Sequence, residues 1–283
     1  MNTNAPNLAV TGSTGFIGGR VARALAGRGI AQRLIVRDPA RAPELANAQV
    51  ATAGYADDDA ARDALAGIAT LFMVSGTESA DRLTAHLAFV DAARAAGVRR
   101  IIYLSFFGAA PDATFTLARD HWHTEQHIRA SGMDYTFLRD NLYADFLPYM
   151  AGEDGVIRGP AGDGAFAPVA RLDVADVAVE VLTGAPGTHD ARTYDLTGPD
   201  LLTMTDVAAV ITATTGRPVA YLDETEAEAY RSRAAYGAPD WQVTAWVSTY
   251  QAIAAGELAP ATDQVARLLG RPATSLADLL RAE

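Results

Sequence analysis

The feature of this sequence that most constrains its fold is an alternation of two periods through its first half. Short β-rich runs (NLAVTGS, RLIVRD, AQVATAGY, TLFMVSG, RRIIYLSF and DYTFLRD) are separated by stretches whose apolar residues recur at helical spacing (FIGGRVARALAGRG, DDDAARDALAGI, ADRLTAHLAFVDAARAAGV and ARDHWHTEQHIRA). Parallel strands need a crossover, and a helix is the usual one, so this alternation implies an α/β fold: a doubly wound parallel sheet with helices on both faces. The runs are nearly continuous in apolar residues, as strands covered on both sides are. After Asp140 the order loosens. GVIRGPAGDGAFAPVAR reads as loops with short strands, and DVADVAVEVLTG as a helix capped by Asp173. TYDLTGP and VAYLD read as two further strands, and the chain is helical from Glu224 onward.

The first strand runs directly into VTGSTGFIGGR, which opens the first helix. Gly12, Gly15 and Gly18 recur at intervals of three. In a strand–turn–helix context the first glycine permits the tight turn, the second lets a pyrophosphate approach the backbone, and the third lets helix and strand pack closely. The helix start then presents amide N–H groups and the positive end of its dipole to phosphate. Gly12, Thr14, Gly15, Phe16, Ile17 and Gly18 are therefore the expected dinucleotide-binding loop. The expected architecture is of Rossmann type: residues 1–150 bind NADP, with a later strand and helix returning to them, and residues 151–283 form a smaller, mostly helical lobe that binds substrate.

The end of the second strand selects the cofactor. An acidic residue there favours NAD, but this chain has IVRDPARA, with Arg37 at the strand end. A guanidinium grips a 2′-phosphate through two N–H groups. Asp38 follows at once and reads as the cap of the next helix, with Pro39 in its first turn. NADPH is the expected cofactor, ahead of NADH. Ser75, Gly76 and Thr77 close the fourth strand and fall where ribose and phosphates approach. Tyr55 and Asp57 follow the third strand, near the expected adenine, although Asp57, Asp58 and Asp59 also read as an acidic helix start.

Composition excludes several chemistries. The chain has no cysteine, so disulfides, thiolate nucleophiles and cysteine metal sites are absent; a cytoplasmic location fits. It has no lysine either; all 23 basic residues are arginine, so no Schiff base forms. A net charge of −11 disfavours nucleic acid as a partner. No apolar run is long enough to span a bilayer, and MNTNAPNLAVTGS lacks the basic and apolar regions of a signal peptide. Oligomeric state is not readable.

The segments VTGSTGFIGG, IVRDPARA, LFMVSG, DAARAAGVRRIIYLSF, GMDYTFLRDNLY, FAPVARLDVADVA and LLGRPATSLADLL together resemble the NmrA-like, atypical short-chain dehydrogenase/reductase family. Within it the chain is most similar to the NAD(P)H:quinone oxidoreductase type 2 group. The resemblance implies an NADPH-binding domain, a C-terminal substrate domain and hydride transfer to a quinone-like small molecule. The family also holds redox sensors that bind NADP(H) without oxidising it, which is the alternative function. A sugar-nucleotide epimerase or dehydratase is a third, weaker reading. It and the ordinary short-chain enzymes use Tyr-x-x-x-Lys, whereas here Tyr103 is followed four residues later by Phe107.

Three histidines crowd the fourth helical stretch. At about 100° per residue His121 joins Leu117, Thr124 and Ile128 on an inward stripe flanked by Glu125, while His123 and His127 face outward with Arg119 and Gln126. HTEQH lacks the His-Glu-x-x-His order, and no metal is expected. Counted back from Gly132, His121 falls where lysine-bearing relatives place lysine. The resemblance therefore assigns it to the nicotinamide end, against the simpler reading as a hydrogen-bonded core histidine. Asn141 and Tyr143, after the sixth strand, are the expected acceptor contacts; a capped helix start is the other reading of that stretch. Ser105, Phe106 and Phe107 offer stacking or core packing, with core favoured. Trp241, Trp246 and Tyr250 also read as packing.

Overall fold

The structure, a computed structural model, describes residues 6–282. The opening five residues, on which the expectation of no leader partly rests, lie outside the described residues. In chain order the elements are β1 (Leu8–Thr11), α1 (Phe16–Gly27), β2 (Gln32–Val36), β3 (Ala48–Thr52), α2 (Asp59–Leu65), β4 (Thr70–Met73), α3 (Arg82–Ala95), β5 (Arg100–Phe106), α4 (Thr116–Ser131) and β6 (Asp134–Asp140). There follow β7 (Val156–Gly159), β8 (Ala165–Phe166), α5 (Arg171–Thr183), β9 (Arg192–Leu196), β10 (Leu202–Thr203), α6 (Met204–Thr215), β11 (Ala220–Asp223), α7 (Glu226–Arg233), α8 (Asp240–Ala254), α9 (Gln264–Leu269) and α10 (Leu276–Ala282). Among the described residues, no helix is long and apolar enough to cross a membrane.

Seven strands form one sheet in the order β3-β2-β1-β4-β5-β6-β9. β1 pairs in parallel with β2 on one side and β4 on the other. The β2–β3 and β4–β5 pairs are also parallel. The chain therefore winds outward from β1 in both directions, and the order reverses between β1 and β4, the place where such sheets open a crevice at their carboxyl ends. All six expected strands of the first half are present. One expectation about them needs correction: β3 is not covered on both sides. It is an edge strand, largely exposed, with Val50 46% accessible.

Two compact units arise from interleaved segments. The first comprises residues 1–105, 121–139 and 174–194, and the second residues 106–120, 140–173 and 195–283. In the first unit α1 places Ile17, Val21 and Leu25 on one buried face, at the four-residue spacing of helix neighbours. Arg20 grips Asp176 with two nitrogens and Arg28 bonds Glu180 and Thr183, tying α1 to α5. Its core gathers Leu65, Leu71, Phe89, Ile101 and Phe137, all fully buried. The second unit buries Leu147, Phe166, Met204, Ile253 and Leu276. It also buries Phe106 and Phe107, which therefore serve its core. Thr203 and Asp206 cap α6, and Thr225 and Glu228 cap α7, by reciprocal capping boxes.

The expected helix near Asp173 starts earlier. α5 begins at Arg171, whose backbone N–H is accepted by Asp145 Oδ2 at 2.8 Å. Asp173 sits inside the first turn. Its buried carboxylate instead accepts from the Thr274 N–H at 2.6 Å and pairs with Arg271 at 2.7 Å, so it fastens the C-terminal segment rather than capping α5.

Candidate active site

The glycine turn leaves β1 with Gly12 at φ +65°, a left-handed conformation that favours glycine. A Cβ there would stand 2.9 Å from Val74 Cβ. A Cβ on Gly18 would lie 2.4 Å from the Gly12 carbonyl oxygen, so helix and turn touch through bare backbone. Gly15 is different. It is the N-cap of α1, makes no side-chain cap bond, and a Cβ would find only the Gly12 oxygen at 3.4 Å. Two glycines are thus required by the fold, and the third leaves a cradle over a helix N-terminus. The Ile17 side chain packs inside the unit and Phe16 is exposed. Thr14 lines a cleft.

That cleft, about 460 Å³, opens beside the carboxyl ends of β1, β2 and β4. Gly12, Arg37, Tyr55, Ser75, Gly76 and Arg82 are among its walls. Arg37 is exposed directly after β2 and has no ion-pair partner among the described residues. Asp38 does what a cap does: its carboxylate accepts from the Ala40 N–H at 3.0 Å, over a short 3₁₀ turn beginning at Pro39. It is therefore committed to backbone. Tyr55 stacks on Phe89 at 4.4 Å between centroids, and its hydroxyl bonds both Thr11 Oγ1 and the Val74 carbonyl. Burial pushes the Tyr55 phenol well up. Asp57 is bound to Arg62 at 2.6 Å, and Asp58 caps α2.

Behind this wall the first unit buries a connected set of polar groups. The Gly76 N–H donates to His86 Nε2 at 2.8 Å, and Arg82 Nε donates to the Gly76 carbonyl at 3.2 Å. Arg82 Nη2 lies 2.6 Å from His121 Nε2, His121 Nδ1 lies 3.0 Å from the Tyr103 hydroxyl, and His86 Nδ1 lies 3.1 Å from Thr124 Oγ1. An amide and a guanidinium only donate. Both Nε2 atoms must therefore be acceptors, and each neutral ring carries its proton on Nδ1. Burial first, and the Arg82 charge second, push His86 down to about 3 and hold His121 well below the ordinary histidine range. His121 is thus a neutral ring with both nitrogens engaged. Tyr103 is fully buried, and its phenol is pushed far up by burial.

Beside this set, buried Glu125 accepts from Ser105 at 2.6 Å and takes two bonds from Arg139, at 2.8 and 2.6 Å. The outward histidines are separate. His127 pairs with Asp91 at 2.8 Å, and His123 meets the Trp122 ring edge to face. Arg82, His86, Tyr103 and the Glu125–Arg139 pair are the members that sequence reasoning missed. One signal was readable: Arg82 and His86 stand four apart on the helix stripe that also buries Phe89 and Ala93.

In the second unit, Asn141 is buried and bonded at both side-chain polar atoms. Its Nδ2 donates to the Leu258 carbonyl at 2.9 Å, and its Oδ1 accepts from the Leu142 N–H at 2.8 Å. Tyr143 is half-buried, and its hydroxyl donates to Asp140 Oδ2 at 2.6 Å. Burial and the neighbouring Asp140 charge raise the Tyr143 phenol well above its usual value, so it keeps its proton. Neither residue caps a regular helix; a 3₁₀ segment, Ala144–Met150, follows.

A bare cradle at a helix start, beside a guanidinium with no ion-pair partner among the described residues, suits a phosphorylated dinucleotide. Residues 12–185 match the model of a family described as NAD(P)H-binding. The chain belongs to this NAD(P)H-binding family. This family member is 34% identical over 280 residues to quinone oxidoreductase 2 of Escherichia coli (strain K12), covering 96% of each chain. It is 32% identical over 278 residues to the NAD(P)H azoreductase of Xenophilus azovorans, again covering 96% of each. Its structure superposes on that of the Escherichia coli NADPH-dependent quinone oxidoreductase complexed with NADPH with a TM-score of 0.87, at 32% identity over 97% of this chain and 99% of the other. The resemblance to the quinone oxidoreductase type 2 group and the Rossmann-type α/β class read from the sequence both hold.

Proposed function

We propose that this protein is an NADPH-dependent oxidoreductase that delivers hydride to a quinone or similar conjugated acceptor. The observation that carries the reading is the pairing of the Gly12–Gly18 cradle with Arg37 in one cleft. Gly12, Thr14, Gly15, Phe16, Ile17 and Gly18 hold the pyrophosphate side, and Arg37 holds the 2′-phosphate. Tyr55, Ser75 and Gly76 wall the cleft. Bound NADPH would supply the hydride, and the protein positions it.

The protein's own groups fit an undemanding protonation. A ketone accepting hydride becomes an alkoxide and needs a strong, placed acid. A quinone becomes a hydroquinone anion, far less basic, which water can protonate. No lysine exists to pair with a tyrosine, and Tyr103 is committed to the buried histidines rather than offered to a substrate. His121 acts as a neutral, oriented ring at the nicotinamide end. In the second unit, Tyr143 holds its proton against Asp140, and Asn141 bonds the Leu258 carbonyl.

The test is oxidation of NADPH, followed at its near-ultraviolet absorbance, with 2-methyl-1,4-naphthoquinone as acceptor. Turnover is expected, and Arg37→Ala should weaken NADPH at least tenfold more than NADH, the loss of a charged phosphate contact. Tight NADPH binding without oxidation of any quinone leaves the sensor reading instead. An unchanged NADPH-to-NADH ratio in Arg37→Ala removes the assignment of the 2′-phosphate.

A further inference from the structure

The second unit has a cavity of its own, about 610 Å³, that none of the residues assigned above lines. Its walls come from the 3₁₀ segment Ala144–Met150, from β7, from the end of α7 and from α8. Four of its lining residues are aromatic: Tyr149, Tyr236, Trp246 and Tyr250. Tyr149 and Tyr236 are the most exposed of the large hydrophobic side chains described, at 77% and 72%. Leaving such rings in water forfeits apolar burial that a ligand would recover.

The cavity wall is built rather than incidental. Tyr236 meets Trp246 edge to face, at 6.0 Å and 89°. Tyr250 lies where a Cβ on Gly159 would come within 2.3 Å of its ring, so a glycine in β7 makes its place. The Arg233 guanidinium stands 5.2 Å from the Tyr250 ring centroid. Arg233 cannot turn toward a ligand, because it donates to Glu224 at 3.0 Å, to the Ala229 carbonyl at 3.0 Å and to the Arg158 carbonyl at 2.8 Å. Arg158, also in the wall, is paired with Asp154 at 2.5 Å. The single Ser232 hydroxyl proton has Glu224 and the Ala229 carbonyl as alternative acceptors, and Thr249 donates to the Ala245 carbonyl.

Aromatic faces and two paired arginines select by stacking rather than by charge, with phenol hydroxyls and an indole N–H at the ring edges to meet polar atoms of a flat ligand. We infer that this cavity is a binding site for an uncharged, planar, multi-ring aromatic molecule. Its volume is in the range of small-molecule sites. Naphthoquinones belong to that chemical class, but the site does not depend on the reductase reading, since it is built from the second unit alone.

The experiment titrates 2-methyl-1,4-naphthoquinone into the full chain without NADPH, by calorimetry and by tryptophan fluorescence. Saturable binding is expected, with quenching largely lost in Trp246→Phe while Trp122 and Trp241 remain. The double variant Tyr149→Ala/Tyr236→Ala should raise Kd about tenfold, the loss of two ring contacts. Both tyrosines are exposed, and unchanged NADPH affinity in the variant shows that the chain is folded. Undiminished binding in the double variant, or quenching that survives Trp246→Phe, overturns the site. So does absent binding, including the case where Tyr236→Ala changes the sedimentation of a self-associating chain. Binding that depends on these residues without any turnover upholds the site and fails the reductase reading; turnover with variant-independent binding does the reverse.

Discussion

The two buried histidines make stability depend on acid in a way that can be measured at one residue. His86 is neutral in the fold, with its pKa pushed down to about 3 by burial and by Arg82. In the unfolded chain the same ring titrates near 6.5. Between those values the unfolded state binds a proton that the folded state refuses. Stability therefore rises with pH across this window; it is fully present above about pH 6.5 and lost as pH falls toward 3. A shift of this size is worth about 1.4 kcal/mol per pH unit, near 5 kcal/mol over the whole window. Replacing His86 with Gln removes the titration while carrying a carbonyl oxygen to the place where Nε2 accepts the Gly76 N–H. Urea unfolding of wild type and His86→Gln at pH 6.0 and 4.5 isolates the effect, because all other titrating groups are shared. Wild type should lose about 2 kcal/mol more than the variant between the two pH values. His86 should leave NADPH affinity of the wild type unchanged over the same interval, since in the folded chain the ring keeps accepting the Gly76 N–H until the pH nears 3. Parallel stability curves for the two proteins would refute the assignment of a neutral, Nδ1-protonated ring.

Three further predictions test close contacts and buried charge in the first unit. Gly18→Ala places a methyl 2.4 Å from the Gly12 oxygen and should cost about 2–3 kcal/mol and weaken NADPH more than tenfold, by thermal melting and equilibrium titration. Gly27→Ala, in the same helix with nothing within 4 Å of the new carbon, should be neutral or stabilising by up to about 1 kcal/mol. Arg139→Met strands the buried Glu125 carboxylate and should cost about 3–5 kcal/mol in urea unfolding, whereas Arg139→Met/Glu125→Met should recover most of that loss.

The parts of the site legible in the sequence are those whose geometry is local. Gly12 and Gly18 are needed by a turn and a contact within seven residues, and Arg37 is simply the first residue after β2. The Asp38 cap is likewise a matter of two residues. His121 was readable as inward because its helix neighbours Leu117, Thr124 and Ile128 are apolar or small. What surrounds His121 was not readable, because Arg82, Tyr103 and Glu125's partner Arg139 reach the same interior from α3, β5 and β6, and nothing in a single sequence states which strands become neighbours. β3 shows the same blindness: AQVATAGY has the apolar character of a central strand, but its place at the sheet edge exposes it. The Asp173 misreading came from a competing acceptor, Asp145, 26 positions before the Arg171 amide that it caps.

The interleaving of the two units carries a consequence for biosynthesis. The first unit draws residues 174–194 from beyond a long excursion, and they supply the α5 partners of Arg20 and Arg28 and most of β9, which lies next to β6. On the ribosome the dinucleotide-binding half cannot finish when its sixth strand emerges. A nascent chain stopped there bears a naked β6 edge, open to pairing with another chain. A cut at any single peptide bond near the middle of the chain therefore parts the glycine turn from the α5 and β9 residues that complete the same unit.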